Sequence, residues 1–341
     1  MNELTKKKGL GAGRNLASEI RAAVLIAAMI VMFVAQVMVS PSILMNGATL
    51  YNYIIKLIMS VTSVGFIASA VTLVIITGNN DLSTGAIMTI TAIMSCTMSS
   101  QYVESMGESG AAVMAIALPL IVGILCGALN GFLVGVLKLN AFVSTMSTMY
   151  AFQGLAILYN GGLTAWAKPL PLFSFVGNGR VLGLPFPILL LALSFIVLGF
   201  ILHKTVFGRK LFAVGGNSLA AHFSGIDSRI IVFLAYVITG LMSGVAGVFV
   251  GSWTQTGDML MGIGKEFNAI TSVVLGGATL SGGVGTMGGT IIGVFFMGVL
   301  EMFYVQFNVS IMLQWLIKGL LLLLVIYINS LLEASRNRRK S

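Results

Sequence analysis

Charged side chains are scarce. Asp, Glu, Lys and Arg make up 9% of the 341 residues, against roughly 25% in a soluble domain. That shortage excludes a chain whose surface faces water on all sides. Histidine is limited to His203 and His222, and cysteine to Cys96 and Cys126. Both cysteines lie inside apolar runs, so neither suits a surface disulfide, and no His, Cys and carboxylate spacing suits a metal. No G-x-x-x-x-G-K-[ST] occurs; Gly264-Lys265 is followed by Glu266. The chain therefore has no loop of its own to cradle ATP phosphates. GVGTMG at 283–288 spells G-x-G-x-x-G. It lacks the strand–turn–helix context and the acid about twenty residues on that dinucleotide binding requires.

What is present is apolar. Hydrophobic residues are 57% of the chain, and glycine numbers 41. The apolar runs are about twenty residues long and continuous, as helices crossing a bilayer require. Barrel strands would instead alternate over about ten residues. The expected fold is an all-α, polytopic membrane protein. Its spans fall near 21–39, 54–77, 82–100, 111–137, 141–159, 186–203, 230–253, 267–284, 287–305 and 310–332, about ten in all. The third and eighth are the most polar or glycine-rich. The N-terminus shows no small-x-small cleavage site before a soluble domain, so it reads as a retained first helix.

The net charge of +9 does not indicate nucleic acid, because the basic residues cluster where membrane orientation needs them. They are Lys6, Lys7, Lys8, Arg14 and Arg21, then Lys138, then Lys204, Arg209, Lys210 and Arg229, and finally Arg336, Arg338, Arg339 and Lys340. An even span count puts all four groups on one side, the cytoplasmic one by the positive-inside rule. The chain then divides into a basic N-terminus (1–20), one transmembrane domain (21–332) with a loop at 204–229, and a basic tail (333–341). The other side carries 101–110, with Glu104 and Glu108; 160–185, with three of the 6 prolines; and 254–267, with Asp258, Lys265 and Glu266.

Two patterns stand out inside the spans. Gly123, Gly127, Gly131 and Gly135 recur every fourth residue, which places them on one helix face. Close packing against a neighbouring helix is the favoured reading, over a stripe beside a pathway. GNNDLSTG from Gly78 is echoed by GGATLSGG from Gly276, with Gly78, Leu82, Ser83 and Gly85 matching Gly276, Leu280, Ser281 and Gly283. Glycine and polar residues inside a span mark a broken helix, and corresponding breaks in two halves point to a transport site. Asp81 also suits a helix N-cap for the third span.

The loop at 206–229 contains a short helix. Asn217 or Ser218 can cap its start, and Gly225 can end it. The pattern Gly215, Gly216, Asn217, Ala220, Ala221, Ser224, Gly225, Ile226 resembles the coupling loop of permease subunits of bacterial ABC importers for simple sugars, of the ribose, galactose and xylose type. The resemblance extends over most of the chain. Asp81, Leu82, Ser83 and Gly85 resemble that family's D-L-S-x-G. Phe142, Thr145, Thr148, Met149, Gly154, Tyr159, Gly161 and Gly162 match another of its segments. The run from Glu266 to Gly277 matches a third, with Asn268 where Asp is usual, and Gln314, Lys318 and Gly319 match a fourth. The departures are Asn79 and Asn80 before the Asp, Asn140-Ala141 in place of proline, Ser147 in place of glycine, and a displaced Trp315.

The resemblance implies an importer of a simple sugar, of galactose/glucose or ribose type, in the inner membrane with both termini cytoplasmic. It implies a second permease copy, a cytoplasmic ABC ATPase that binds the ATP, and an extracytoplasmic sugar-binding protein; the chain needs membrane lipid but no cofactor of its own. Gly215, Gly216, Asn217, Ala220, Ala221, Ser224 and Gly225 are then the ATPase-coupling residues. By type and location, Asn79, Asn80, Asp81, Ser83, Ser144, Thr145, Ser147, Gln153 and Thr271 are candidates for the substrate pathway, since neutral sugars need hydroxyl and amide partners. Glu301 and Lys318 are expected to form an ion pair across the last hairpin. Alternatives are a related permease for branched-chain amino acids or nucleosides, and an ion-coupled secondary transporter, for which only Asp81 and Glu301 could relay a charge.

Overall fold

The computed structural model describes the backbone of residues 2–338 and the side chains of residues 19–327. The expected cytoplasmic placement of Lys6, Lys7, Lys8, Arg14 and the basic tail concerns side chains outside those residues.

The chain is mainly helical: α1 (Asn2–Val39), α2 (Gly47–Ile76), α3 (Thr84–Gln101), α4 (Val103–Gly131), α5 (Ala141–Asn160), α6 (Pro171–Asn178), α7 (Phe186–Lys204), α8 (Val206–Gly216), α9 (Ser218–Phe223), α10 (Ser228–Thr254), α11 (Lys265–Leu275), α12 (Met287–Gln306) and α13 (Ile311–Arg338). The described strands are two-residue pieces. β1 (Ala165–Trp166), β2 (Arg180–Val181), β3 (Leu184–Pro185) and β4 (Thr256–Gly257) pair antiparallel as β1 with β4 and β2 with β3.

Among the described residues, 7 helices are long and apolar enough to cross a membrane: α1 from Glu19, α2, α4 with its π turn, α5, α7, α10 and α12. Among the described residues, α13 contributes a shorter apolar stretch, Ile311–Tyr327. α3 has 18 residues and is buried from Thr84 to Ser99. It tolerates Thr89, Thr91 and Thr97 because their hydroxyls donate to the carbonyls of Gly85, Ile87 and Ile93, four residues back. The eighth expected span, 267–284, is not one helix. α11 has 11 residues and ends at Leu275; an irregular stretch follows, in which Gly277, Gly282 and Gly283 all have positive φ. Hydropathy counts apolar atoms, whereas a helix needs a backbone that stays in one conformation, and this glycine-rich run does not.

α2 forms the centre of the bundle. Asn46 caps it, its side chain accepting from Thr49 N at 2.9 Å while Thr49 Oγ1 accepts from Asn46 N at 3.3 Å, a reciprocal capping box. Every residue from Val61 to Thr77 is buried. It stops at Gly78, whose φ of 81° lets Asn79 N reach Val74 O at 3.3 Å and Gly78 N reach Ile75 O at 2.9 Å. These two bonds are the Schellman pattern. α11 ends the same way: Ala278 N donates to Val273 O at 3.2 Å, Gly277 N to Val274 O at 3.0 Å, and φ at Gly277 is 97°. The two breaks are thus built alike, but Gly78 corresponds to Gly277, one residue beyond the match in the sequence.

The glycine stripe of α4 lies flat on α10. A Cβ added at Gly123 would stand 2.7 Å from Gly240 O, one at Gly127 2.9 Å from Gly240 Cα, one at Gly131 2.7 Å from Phe233 O, and one at Gly135 2.9 Å from Arg229 O. Apolar faces gain nothing by leaving lipid for one another, so backbone approach at small residues supplies the packing.

Candidate functional site

The break between α2 and α3 is tied to three other helices. Ser83 N and Ser83 Oγ donate to Asp81 Oδ1 at 2.9 and 2.7 Å. Asn130 on α4 donates through Nδ2 to Ser83 Oγ at 2.6 Å. Thr148 on α5 donates to Asn130 Oδ1 at 2.7 Å. One turn earlier on α5, Thr145 Oγ1 accepts from Leu82 N at 3.2 Å. From α10, Tyr236 Oη donates to Asn80 O at 2.6 Å. Asp81 and Ser83 are both 0% exposed. The carboxylate lies three residues before α3, whose N-terminal dipole favours its charge, but the N-cap itself is Ser83. Asp81 Oδ2 and Asn80 Oδ1 are buried without a hydrogen-bond partner among the described residues.

The pathway candidates therefore separate. Asp81, Ser83 and Thr145 form one enclosed polar knot, with Ser144 buried beside it on α5. Asn79 and Asn80 are half-buried at its rim, and Asn79 Nδ2 donates to Thr77 Oγ1 at 2.9 Å. Ser147 lies on the exposed face of α5, its hydroxyl donating to Val143 O at 2.8 Å. Gln153, half-buried two turns beyond the knot, donates to Met259 O at 2.6 Å. Thr271 is buried in α11, outside the knot's hydrogen bonds. Asn130, Thr148 and Tyr236 were not among the candidates. A lone Asn inside the apolar α4 was the signal for the first, since polar groups at that depth rarely lack a partner.

The stretch expected as an exposed outer loop, 254–267, instead folds back along α3. Gly262 N donates to Thr89 Oγ1 at 3.1 Å, and a Cβ at Gly257 would come within 2.6 Å of Ile93 Cα. Glu266 is consequently 6% exposed, with Oε1 accepting from Gly264 N at 3.1 Å and Oε2 beside Gly85. The missing side chain of Gly85 is what makes room for the carboxylate. The prediction from charge alone fails here for that reason.

The two breaks meet at the end of the bundle that carries the basic loop. Gly283 N donates to Ile76 O at 2.8 Å, and Gly282 packs on Gly78 and Gly215. Gly215 terminates the packed part of α8, a second helix in the loop. α9 follows at once. Asn217 caps it, accepting from Ala220 N at 2.9 Å. Gly225, with φ 76°, ends it through Ile226 N to Ala221 O at 3.0 Å and Gly225 N to His222 O at 2.9 Å. Of the small coupling residues, Gly216 and Ala220 are exposed, as are Asn217, Ser224 and Gly225. Ala221 is 4% exposed and belongs to the chain's own core. What α9 presents outward is Leu219, 65% exposed, and Phe223, 82% exposed, four residues apart on one face.

Lys318 Nζ lies 3.0 Å from Glu301 Oε1, the two side chains being 20% and 22% exposed. The same oxygen accepts from Asn268 Nδ2 at 3.0 Å, so this node joins α11, α12 and α13.

Residues 53–326 match the family described as branched-chain amino acid transport system / permease component. The ribose import permease protein of Bacillus subtilis (strain 168) is 37% identical over 279 residues, covering 81% of this chain and 84% of that protein. The L-arabinose ABC transporter permease protein of Azospirillum brasilense is 33% identical over 285 residues, covering 84% and 81%. The ribose import permease protein of Escherichia coli (strain K12) is 32% identical over 277 residues, covering 80% and 84%. No solved structure gives a significant match.

Proposed function

Because the chain belongs to the family of branched-chain amino acid transport system permease components, we propose that it is the membrane-spanning subunit of an ATP-driven importer whose solute is a simple sugar of the pentose class. The protein is a multi-pass membrane transporter subunit and not itself a catalyst. The Bacillus subtilis and Azospirillum brasilense relatives, each covering most of its length, are named for ribose and L-arabinose, which supports the ribose-type reading over a galactose/glucose one. The family's description favours a second reading, a branched-chain amino acid. The chemistry of the break argues against it. The acids packed at the α2–α3 break, Asp81 and Glu266, are enclosed; the partly exposed side chains at its rim, Asn79 and Asn80, are neutral amides. Such groups suit hydroxyls and leave a zwitterion's charges unpaired. This accessibility carries the sugar reading.

In this proposal the exposed face of α5, with Phe142, Met146 and Tyr150, turns toward the pathway and a second copy of the chain. ATP is hydrolysed by a separate cytoplasmic subunit, and an extracytoplasmic binding protein delivers the sugar. Leu219 and Phe223 are the anchors for the ATPase. Exposed apolar side chains on a short capped helix outside the bundle need a partner surface, and one such anchor contributes about 2 kcal/mol or more. The complete complex, reconstituted with its ATPase and binding protein, is expected to import ribose or L-arabinose and not leucine. A Leu219→Ser/Phe223→Ser variant should reach the membrane at the normal level, yet recover the ATPase with affinity lower by about thirtyfold or more. ATP-dependent leucine import would replace the sugar reading. Normal ATPase recovery by the variant would remove α9 from the interface.

In this proposal both termini and the basic loop lie in the cytoplasm, a reading the charge bias supports. Leu182, at the tip of the β2–β3 hairpin, is 99% exposed at the opposite end. In intact cells, Leu182→Cys should react with a membrane-impermeant thiol reagent and Ser218→Cys should not. The reverse pattern would invert the topology.

A further inference from the structure

Where the basic loop rejoins the bundle, a cavity of about 530 Å³ opens between the link from α4 to α5, the C-terminus of α9 and the start of α10. Lys138, Arg229 and His222 line it, with Asp227 and Ser228. Lys138 is 90 residues from Ser228 in the chain, so tertiary packing brings it against the 222–229 stretch. Lys138 occupies the left-handed region with φ of 60°, a conformation a non-glycine residue adopts only when its surroundings hold it there. Its Nζ donates to Ser228 Oγ at 2.9 Å, a neutral partner. The one acid, Asp227, directs Oδ1 to Arg229 N at 2.9 Å. Neither Lys138 nor Arg229 makes an ion pair among the described residues.

The apolar neighbours of these cations narrow the choice of ligand. Leu137 and Leu139 flank Lys138, Ile230 follows Arg229, and all three are exposed, as is Phe142 just beyond. The cavity thus lies on the line where an exposed apolar belt gives way to the basic end of the bundle. A soluble anion or an acidic segment of another protein would engage the cations and leave that belt unused. An amphiphile with an anionic head and hydrocarbon chains fits both parts, and basic pockets at the cytoplasmic ends of spans are where acidic headgroups bind. We propose that this cavity holds the phosphate of an acidic glycerophospholipid, with Lys138 and Arg229 on the headgroup and Leu137, Leu139 and Ile230 along the acyl chains. The proposal is independent of which solute is carried.

The test uses the full-length permease in nanodiscs of phosphatidylcholine alone or with phosphatidylglycerol. Bound phosphatidylglycerol is counted by native mass spectrometry and stability is followed by thermal unfolding. The unaltered chain should retain phosphatidylglycerol and unfold at a higher temperature with it. Each cation near an anionic surface contributes about 1 kcal/mol, so Lys138→Gln/Arg229→Gln should weaken retention roughly thirtyfold. Its unfolding in phosphatidylcholine alone should match the unaltered chain. If the double variant does not fold, Lys138→Gln alone should weaken retention about fivefold, and Lys138→Arg should restore it. Equal retention by the glutamine variants overturns the proposal. So does equal protection by millimolar inorganic phosphate in phosphatidylcholine discs, which would make the site one for a soluble anion. Loss of ATPase recovery with unchanged phosphatidylglycerol retention would assign the cavity to a protein partner instead.

Discussion

Gly127→Leu is expected to leave almost no monodisperse permease after extraction from the membrane. Gly127 sits at the middle of the stripe that α4 presents to α10, and the atoms facing it are backbone: Tyr236 O, Gly240 N and Gly240 Cα. A flexible side chain could turn away from an added group, but a helix backbone cannot. Leucine here must drive two helices apart along a seam that also includes Gly123, Gly131 and Gly135. Overpacking a yielding core costs about 1–3 kcal/mol; separating a whole backbone seam costs more, against a total stability of about 5–15 kcal/mol. Gly127→Ala should show the same effect in reduced form, because its Cβ alone already meets Gly240 Cα at 2.9 Å. Gly154→Ala on α5 is the matched control, since nothing lies within 4 Å of its added Cβ; it should unfold no earlier than the unaltered chain. Thermal unfolding of the three purified variants decides the matter. If Gly127→Leu yields normal protein with a normal melting temperature, α4 and α10 are not in backbone contact.

The second large effect concerns Glu301. Lys318→Met removes its counter-charge and leaves Asn268 as the remaining donor. Glu301→Gln strands the ammonium of Lys318. Breaking a buried pair by one partner costs about 3–5 kcal/mol, whereas replacing both with neutral groups is often close to neutral. That figure is an upper bound here, because the two side chains are 20% and 22% exposed. Each single variant should therefore lower the melting temperature, and Glu301→Gln/Lys318→Met should recover more than half of the loss. The node also holds α11, which is too short to be anchored at both membrane faces. Singles that are as stable as the unaltered chain, with the double no different, would show the contact to be energetically idle.

Features set within a few residues of chain were legible from the sequence. Asn217 and Gly225 bound α9 because a cap and a left-handed stop are local choices of backbone and side chain. α5 begins at Ala141 as expected and ends within a residue of its expected limit. The pairing of Glu301 with Lys318 was legible because a short hairpin connects α12 to α13, so rise per residue puts the two about 6 Å apart in depth, a difference a lysine side chain spans. α8 was missed: Gly208, Gly215 and Gly216 read as loop, and its hold comes from elsewhere, at Gly215 against Ile76 and Gly283. Glu266 was misplaced because a carboxylate beside Lys265 resembles surface, and only its packing against Gly85 removes it from water. Ala221 was assigned outward by its size, yet the turn of α9 directs Leu219 and Phe223 outward instead.

By itself the sequence determined that this chain lives in a membrane as helices, which end is basic, where two spans break, and that α4 carries a flat face. Scarcity of charge, run length and fourfold glycine spacing are properties of a chain or of a single helix, and a bilayer restricts them to few outcomes. Only the tertiary structure decided that α10 covers the glycine face, that Asn130, Thr148 and Tyr236 close the knot around Asp81, and that 254–264 folds back along α3. In lipid one apolar face gains as much as another, so hydrophobicity does not choose partners among helices. The choice falls to backbone contact at small residues and to hydrogen bonds between polar groups, and both depend on residues far apart in the chain.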